Sequence, residues 1–295
     1  MKLDSRQCEA LLAVIDSGSF EQAAALLHLT PSAVSQRVRS LETTLGSPLV
    51  IRTRPCRATP AGQRLLQHLR RVQAMEEDLQ ADFAGDQAAP MRVPIALNND
   101  TLASWFLPAL APFVIREQIL LDLILDDQDH TYTLLETGHA LGCITTESQP
   151  MRGCAVEALG AMRYRCVASP AFRARWFARG MTRAAVRAAP LLVFDRKDRL
   201  QADFLLKHYG VPEEAVPRHY VPASDPYMQA IVLGLGWGML PELQMRALRK
   251  QGALVDIAPL RPTDVRLYWH GWKVQSPRVE RLSRTLVAAA RQVLL

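Results

Sequence analysis

The sequence has too few cysteines, at unsuitable spacings, for a disulfide framework or a zinc site. There are five, an odd number, and no Cys-x-x-Cys pair occurs among them. Such frameworks and sites need paired cysteines at characteristic spacings. We therefore expect inert, mostly buried thiols. The alternative is a peroxide-sensing pair, which would require two of the thiols to lie close together in the fold.

Signals for membrane insertion or export are also lacking. No run of eighteen apolar residues occurs, so the sequence predicts no transmembrane helix and no membrane partner. The first residues, MKLDSRQCEA, include acids and contain no apolar stretch of the kind that a secretory signal has. The sequence therefore predicts a cytoplasmic protein.

Catalytic and cofactor-binding motifs are missing as well. There is no Gly-x-x-x-x-Gly-Lys-Ser/Thr loop and no Gly-x-Ser-x-Gly elbow, and the seven histidines show no metal-like spacing. Gly234-x-Gly236-x-Gly238 precedes the short apolar run GWGML rather than a helix, so it predicts a tight turn and not a nucleotide site. We expect His270 to be a strand residue. The sequence thus predicts a protein that is not an enzyme and has no cofactor and no metal.

What the sequence does contain, at residues 20–45, is the pattern of two short helices joined by a tight turn. Thr30 and Pro31 are a capping residue and a first-turn proline, and they open the second helix. Apolar residues recur there at helical spacing, while the opposite face is polar and free of acids. Together with a preceding helix at residues 3–17, this predicts a helix-turn-helix whose second helix enters the DNA major groove. An ordinary helical hairpin of a protein core is the alternative.

A short hairpin, or wing, follows at residues 49–57, and its arginines stand where phosphates would be contacted. Ser35 and Gln36 are the base-reading candidates. The charge distribution agrees, since residues 1–71 contain ten Lys/Arg and five Asp/Glu, a net of +5, and residues 72–90 contain five acids and no base. The candidate DNA-binding residues are Thr30, Pro31, Ser32, Ser35, Gln36, Arg39, Arg52, Arg54 and Arg57.

A long helix is predicted from Pro60 to about Phe83, with apolar residues in a coiled-coil-like pattern. At ~1.5 Å per residue it would be ~36 Å long, which is more than a small winged domain can cover. We expect its apolar stripe to pair with the same helix of a second copy. The alternative is that the helix docks on the second domain of its own chain.

From residue 91 onward, short apolar strands alternate with helices in two blocks, which predicts α/β architecture with mostly parallel sheets and two lobes. Four strand-to-helix junctions each carry a carboxylate, and ligands of such folds bind near the carboxyl ends of strands. A cationic ligand requires carboxylates, and a ligand carboxylate suits free N–H groups at a helix start. We therefore predict a site for lysine or arginine, although any single aspartate there could instead be a helix cap. The candidate effector-binding residues are Asn99, Asp100, Thr101, Trp105, Asp126, Asp127, Asp195 and Asp225.

A family motif is met by Phe20, Ala23, Ala24, Ser32, Ser35, Leu41, Glu42, Gly46, Pro48, Leu49, Thr59 and Gly62. By these residues the chain resembles the LysR-type transcriptional regulators, from end to end. Three further segments resemble the arginine- and lysine-responsive branch of that family (ArgP/LysG-like), namely Arg52-Thr53-x-Pro55-x-Arg57, the run from Asn98 to Leu110, and Leu267-Tyr268-Trp269-His270. The resemblance implies a winged helix-turn-helix, a dimerising linker helix and a two-lobed effector domain like a periplasmic binding protein.

We accordingly predict a mixed α+β and α/β protein with three parts. These are a DNA-binding domain at 1–58, a linker helix and hinge at 59–90, and an effector domain at 91–295. Lobe I would cover about 91–161 and 265–295, and lobe II about 162–264.

The predicted function is a ligand-responsive transcription regulator, and the resemblance implies that it controls genes for amino-acid export or metabolism. Its predicted partners are double-stranded DNA, a basic amino acid and further copies of itself, in a dimer or in the tetramer that the resemblance implies, with RNA polymerase left open. The alternatives are a regulator with another small-molecule effector, and an architectural DNA-binding protein without ligand control.

Overall fold

A computed structural model describes residues 3–84, 90–126 and 131–295 of the chain. These residues form two compact units. One covers the chain up to Met91 together with the segment Thr133–Leu141, and the other covers Arg92–Tyr132 and Gly142–Leu295. Residues 85–89 of the predicted linker and hinge lie outside the described residues.

The first unit is a small helical head with a two-stranded wing and one long helix. The wing strands pair antiparallel, with Val50 opposite Ala58. The elements are α1 (Ser5–Ser17), α2 (Phe20–Leu26), α3 (Pro31–Leu45), β1 (Val50–Ile51), β2 (Arg57–Ala58) and α4 (Pro60–Ala84).

Side-chain caps explain where the head helices begin. The carboxylate of Asp4 accepts the backbone N–H of Arg6 and Gln7, so α1 begins at Ser5 rather than at residue 3. Thr30 caps α3 in the same way, as predicted, and α3 ends at Gly46 in the left-handed region with φ +65°. Val34, Val38 and Leu41 of α3 are fully buried in the head core, which confirms the predicted inward face.

From residue 91 onward the chain contains the predicted alternation of strands and helices, beginning with β3 (Met91–Leu97). Most of it forms the second unit, but Met91 and the segment Thr133–Leu141 belong to the first. A π-helical turn, Leu102–Phe106, separates α5 from α6, and a short 3₁₀ turn lies at Glu213–Ala215. The strands are β4 (Ile119–Leu125), β5 (Gly142–Thr145), β6 (Cys154–Ala168), β7 (Leu191–Val193), β8 (Arg218–Tyr220), β9 (Gly238–Pro241), β10 (Val255–Asp256) and β11 (Thr263–Trp272). The helices are α5 (Asn99–Thr101), α6 (Leu107–Arg116), α7 (Thr131–Glu136), α8 (Pro170–Trp176), α9 (Arg183–Ala188), α10 (Leu200–Tyr209), α11 (Ser224–Val232), α12 (Glu242–Lys250) and α13 (Pro277–Val293).

The expectation of mostly parallel sheets is wrong for the main sheet. Its strand order is β10-β6-β11-β5-β3-β4, with β9 also pairing with β6. The ladders of β11 with β5 and β6, and of β6 with β9 and β10, are antiparallel, whereas β3 with β5 and β7 with β8 are parallel. The reason is the 15-residue strand β6. It pairs with the whole of β11 through residues 154–164, and with β9 and β10 near its own C-terminal end.

The helix predicted after β3 is interrupted rather than continuous. Pro108 stands where a regular α-helix would donate an N–H to the carbonyl of Ser104, and proline has no N–H. The chain accommodates this with the π-helical turn ahead of α6. This turn places Trp105 and Phe106 in the core, at 4% and 0% exposure.

All five cysteines are free thiols, and only Cys56 is not buried. Burial raises the pKa of the thiols of Cys8, Cys143 and Cys166, which keeps them protonated and poorly reactive. Within the described ranges, no helix has the length and apolar character that a membrane crossing requires.

Candidate functional site

The recognition helix α3 presents the polar face that the sequence predicts. Pro31, Ser32, Gln36 and Arg39 are exposed, and Ser35 is half-buried. The hydroxyl of Thr30 accepts the N–H of Ala33 at 3.2 Å and lies 3.0 Å from the hydroxyl of Ser32. Thr30 therefore holds the start of the helix in place, while the side chains beyond it face solvent.

The wing arginines have different surroundings. The guanidinium of Arg52 lies over the ring of Phe20, 4.8 Å from its centroid, and its Nη1 is 3.5 Å from the hydroxyl of Ser35. Arg52 is thereby held against the recognition helix. Arg54 and Arg57 are exposed. Arg54 also contributes to lowering the pKa of Glu21, after the larger effect of the hydrogen bond from Ser19.

Two residues of the sequence motif connect the wing to its neighbouring helices. The carboxylate of Glu42, at the end of α3, accepts the backbone N–H of Leu49 at 2.8 Å and of Val50 at 3.3 Å. The hydroxyl of Thr59 donates to the carbonyl of Pro48 at 2.7 Å and caps α4 by accepting the N–H of Gly62. These bonds fix the wing relative to the face that would enter the groove. Sequence reasoning did not assign a role to Glu42, although its position just before the wing was a signal.

The long helix α4 does not carry one uniform apolar stripe. Leu65 and Leu69 pack on the head core. Leu79 and Phe83, in the last two turns, are 57% and 86% exposed. Of the predicted stripe, these two residues are the part that remains open in a single chain.

Arg70 of α4 joins two separate stretches of chain within the first unit. It pairs with the carboxylate of Asp16 in α1 and donates through Nη1 to the carbonyl of Gly138 at 2.5 Å. Gly138 has φ +74°, and a Cβ there would lie 3.0 Å from the Cα of Gln67. The segment Thr133–Leu141 therefore packs closely on α4 and belongs to the head unit.

The second unit contains a cavity that is partly open to solvent. Its lining combines carboxylates, amides and aromatic rings, and among the described residues that line it there is no lysine, arginine or histidine. The lining residues are Asn98, Asn99, Asp100, Asp126, Tyr164, Phe194, Asp195, Asp198, Leu200, Gln201, Ser224, Tyr227, Met239, Leu240 and Gln244.

Four carboxylates line this cavity, and the sequence analysis named three of them. Asp100 accepts a hydrogen bond from the hydroxyl of Tyr164 at 2.8 Å. Asp126 lies 3.6 Å from the ammonium of Lys197. Asp195 accepts the N–H of Lys197 and of Asp198 at 2.7 and 2.9 Å. Asp198 is the carboxylate that was missed. It lies in the loop before α10, so the pattern of one carboxylate directly after each strand could not reveal it.

Uncharged polar atoms in the same lining have unused hydrogen-bonding capacity. Within the part of the chain that the structure describes, no protein partner reaches Gln201 Oε1, Ser224 Oγ or Gln244 Nε2, and all three atoms are buried. The side chain of Gln201 is almost fully buried, at 2% exposure. Buried polar atoms without partners are costly. They therefore mark this cavity as a place where a polar ligand can bind.

The hydroxyl of Tyr227 connects three other residues at the cavity by hydrogen bonds. It donates to the carbonyl of Leu192 at 3.2 Å and accepts the N–H groups of Gln201 at 3.2 Å and Met239 at 3.1 Å. Burial is the main cause that raises the pKa of this phenol, with the charges of Asp198 and Asp100 adding to it. Tyr227 is therefore protonated at neutral pH and acts as a fixed hydrogen-bonding centre.

The structure does not bring every predicted effector residue to the cavity. Thr101 and Trp105 are buried outside the lining, because the helical turns after Asn99 direct them into the core. Asp225 is exposed in the first turn of α11, where a carboxylate favours the helix N-terminus. Asp127 lies outside the described residues. Asn99, Asp100, Asp126 and Asp195 do line the cavity.

Among residues 3–84, 90–126 and 131–295, no group of three histidine, cysteine or acidic side chains has the arrangement of a metal site.

Comparison with known proteins identifies two matching family models. Residues 5–63 match the bacterial regulatory helix-turn-helix protein, lysR family. Residues 88–291 match the LysR substrate binding domain.

Full-length relatives are similar to the chain along nearly all of its length. The HTH-type transcriptional regulator ArgP of Aeromonas salmonicida is 41% identical over 293 residues, which cover 99% of this chain and 98% of the relative. The crystal structure of ArgP from Mycobacterium tuberculosis has a TM-score of 0.88 at 41% identity, covering 99% of both chains. Full-length LysG from Corynebacterium glutamicum with bound effector Arg has a TM-score of 0.82 at 36% identity, also covering 99% of both chains.

Proposed function

The chain belongs to the LysR family of bacterial regulatory helix-turn-helix proteins, and we propose that it is a transcriptional regulator that responds to arginine or lysine. It binds double-stranded DNA through α3 and the wing, and it binds the amino acid in the cavity of the second unit. The DNA-binding domain covers 1–58, the linker 59–90 and the effector domain 91–295. The protein works in the cytoplasm as a dimer or tetramer, on genes for amino-acid export or metabolism, with RNA polymerase as a further partner.

The observation that carries the proposal is the charge of the cavity. Four carboxylates line it, and none of its described lining residues is basic. A buried guanidinium or ammonium must be paired with acceptors, and carboxylates are the strongest acceptors available in proteins. An apolar amino acid such as leucine has no side-chain cation to pair with these carboxylates.

The remaining polar groups suit the other end of an amino acid. Gln244 Nε2 and Ser224 Oγ are buried donors without a described protein partner, and an α-carboxylate needs donors of this kind. Gln201 Oε1 is likewise buried without a described protein partner, but it is an acceptor and therefore suits an α-ammonium group. The cavity therefore offers separate groups for the charged side chain and for the two backbone charges of one ligand.

The relatives support the same ligand class. LysG of Corynebacterium glutamicum, with bound effector Arg, is 36% identical to this chain along nearly its whole length. Transferring that ligand class to this chain agrees with the carboxylates of the cavity. Regulation follows if the ligand binds one arrangement of the protein better than another, because only such a difference can shift an equilibrium.

Calorimetric titration of the purified full-length protein with arginine, lysine, ornithine and leucine tests the proposal. We expect binding of at least one basic amino acid and none of leucine. A footprinting experiment on promoter fragments, with and without the amino acid that binds, then tests whether the ligand changes the contact with DNA. If none of the basic amino acids binds, or if leucine binds equally well, the assignment of the effector is wrong.

A further inference from the structure

We propose that Lys197 is a specificity-determining residue of the effector cavity, because its ammonium competes with a cationic ligand for the carboxylate of Asp126. The inference rests on the proposed function, since it concerns the same cavity and the same class of ligand. It adds that the affinity for a basic amino acid is set partly by a basic side chain of the protein itself.

Lys197 and Asp126 form an ion pair at the edge of the cavity lining. The Nζ atom of Lys197 lies 3.6 Å from Oδ1 of Asp126. Asp126 directly follows strand β4 and lines the cavity, whereas Lys197 lies in the loop between β7 and α10. The ammonium therefore reaches a carboxylate of the lining from a different wall.

Other carboxylates of the cavity fix the backbone at Lys197. Asp195 accepts the N–H of residues 197 and 198, and Asp198 accepts the N–H of Leu200 at 2.9 Å. Such side-chain-to-backbone bonds define a tight turn. Asp195 and Asp198 both line the cavity. The backbone from which the side chain of Lys197 extends is therefore held by residues of the cavity lining.

The side chain of Lys197 ends in the same ammonium group as a lysine ligand, so both need the same acceptors. A ligand cation that pairs with Asp126 must displace Lys197 or share the carboxylate with it. The two side chains are 57% and 33% exposed, and ion pairs at such exposure are weak because water screens them. The competition should therefore lower the affinity two- to fivefold rather than abolish binding.

The neighbouring residue provides a matched control. The guanidinium of Arg196 lies over the ring of Tyr220, 4.7 Å from its centroid, and is exposed in the same loop. Replacing Arg196 removes one positive charge from the loop, as replacing Lys197 does, but leaves the pair with Asp126 in place. Comparing the two variants separates the specific contact from the general charge effect.

The experiment is calorimetric titration of the full-length wild-type protein and of Lys197→Gln, Arg196→Gln and Lys197→Arg with arginine and with citrulline, which has the same shape but no side-chain charge. We expect Lys197→Gln to bind arginine two- to fivefold more tightly than Arg196→Gln does. Lys197→Arg should bind arginine no more tightly than the wild type. Any binding of citrulline should be equal in Lys197→Gln and Arg196→Gln. Thermal unfolding of each variant confirms that it is folded.

Two results would overturn the inference while leaving the proposed function intact. The first is an equal affinity of Lys197→Gln and Arg196→Gln for arginine. The second is a weaker affinity of Lys197→Gln for arginine than that of Arg196→Gln, which would mean that Lys197 helps to hold the ligand. If the wild-type protein binds none of the basic amino acids, the proposed function fails and the inference fails with it. The titration of the wild type thus separates the two failures.

Discussion

Asp100 and Asp225 occupy the same place in the local sequence pattern, in the first turn of a helix that follows a strand. Their surroundings differ. Asp100 lines the cavity and accepts the hydrogen bond of Tyr164, whereas Asp225 is exposed and lies outside the lining. The fold, and not the local pattern, decides which carboxylate is available to a ligand and which one only favours its helix.

The substitution Asp100→Asn should weaken arginine binding about tenfold or more, because a hydrogen bond to a charged group contributes about 1.5–3 kcal/mol. Asparagine can still accept the bond from Tyr164, so the local structure should remain. Asp225→Asn is the matched control and should bind as the wild type does. Calorimetry on both variants checks this, and equal losses in the two would contradict the role of Asp100.

Substitutions of Gln36 and of Arg52 should have different effects on DNA binding. Gln36 is exposed on the recognition face, so Gln36→Ala should change which sequences are preferred. Arg52→Ala should weaken binding to all sequences alike and reduce the slope of log affinity against log salt by about one.

Footprinting on a set of operator variants, and binding titrations at several salt concentrations, distinguish these two effects. An unchanged sequence preference in Gln36→Ala would remove Gln36 from the base-reading residues. An unchanged salt slope in Arg52→Ala would mean that the guanidinium only packs on Phe20 and does not contact phosphate.

At the scale of elements, the junction of α4 with the wing depends on the absence of a side chain at residue 62. A Cβ there would lie 2.1 Å from the carbonyl oxygen of Leu49, which is backbone and cannot move independently. That carbonyl also accepts the N–H of Thr59 at 2.9 Å. The close approach explains why glycine follows Thr59 by three residues in the sequence motif.

We therefore expect Gly62→Ala to destabilise the protein more than Gly46→Ala does. Gly46 has φ +65° but open space around it, so alanine there costs only the conformational strain, about 1–2 kcal/mol. Gly62→Ala must also displace the wing, and the midpoint of thermal unfolding should fall further. If Gly46→Ala lowers the stability more than Gly62→Ala does, the wing can move away from a Cβ at residue 62 at little cost.

Most helices and strands were predictable because they depend on local periodicity and caps. The helix that begins at Thr30-Pro31 and the alternation of short strands with helices from residue 91 onward occur as the sequence predicts. The pairing of β6 with β11 was not predictable, since it joins residues about a hundred positions apart. For the same reason Gln201 and Gln244 could not be recognised as cavity residues. The two residues lie on different helices, and they line one cavity only once the chain is folded.

At the scale of the whole molecule, α4 has an apolar end that a single chain leaves open. Leu79 and Phe83 lie one turn apart and are mostly exposed, whereas Leu65 and Leu69 already pack on the head. Burying such side chains in a helix pair is favourable by about 1.5–3 kcal/mol each. The contact between two copies should therefore be concentrated at the C-terminal end of the helix.

We expect Phe83→Asp to raise the dissociation constant of the dimer at least tenfold, because a charge would replace a large apolar group at the contact. Leu260→Asp is the control, since Leu260 is 94% exposed and lies in the loop before β11. Sedimentation over a range of protein concentrations measures both variants. Equal dissociation of Phe83→Asp and the wild type would place the contact elsewhere.

The head unit also has a consequence for dissecting the gene. Gly138, whose carbonyl binds Arg70, is encoded far downstream of the other head residues. A fragment that stops within the linker would contain Arg70 and Asp16 but not their third partner. A fragment that begins at residue 90 would expose the surface that segment 133–141 places against α4. Neither truncation reproduces a native unit. Insertions between α7 and β5 would disturb the DNA-binding half of the protein, although this stretch lies in the sequence among residues of the other half.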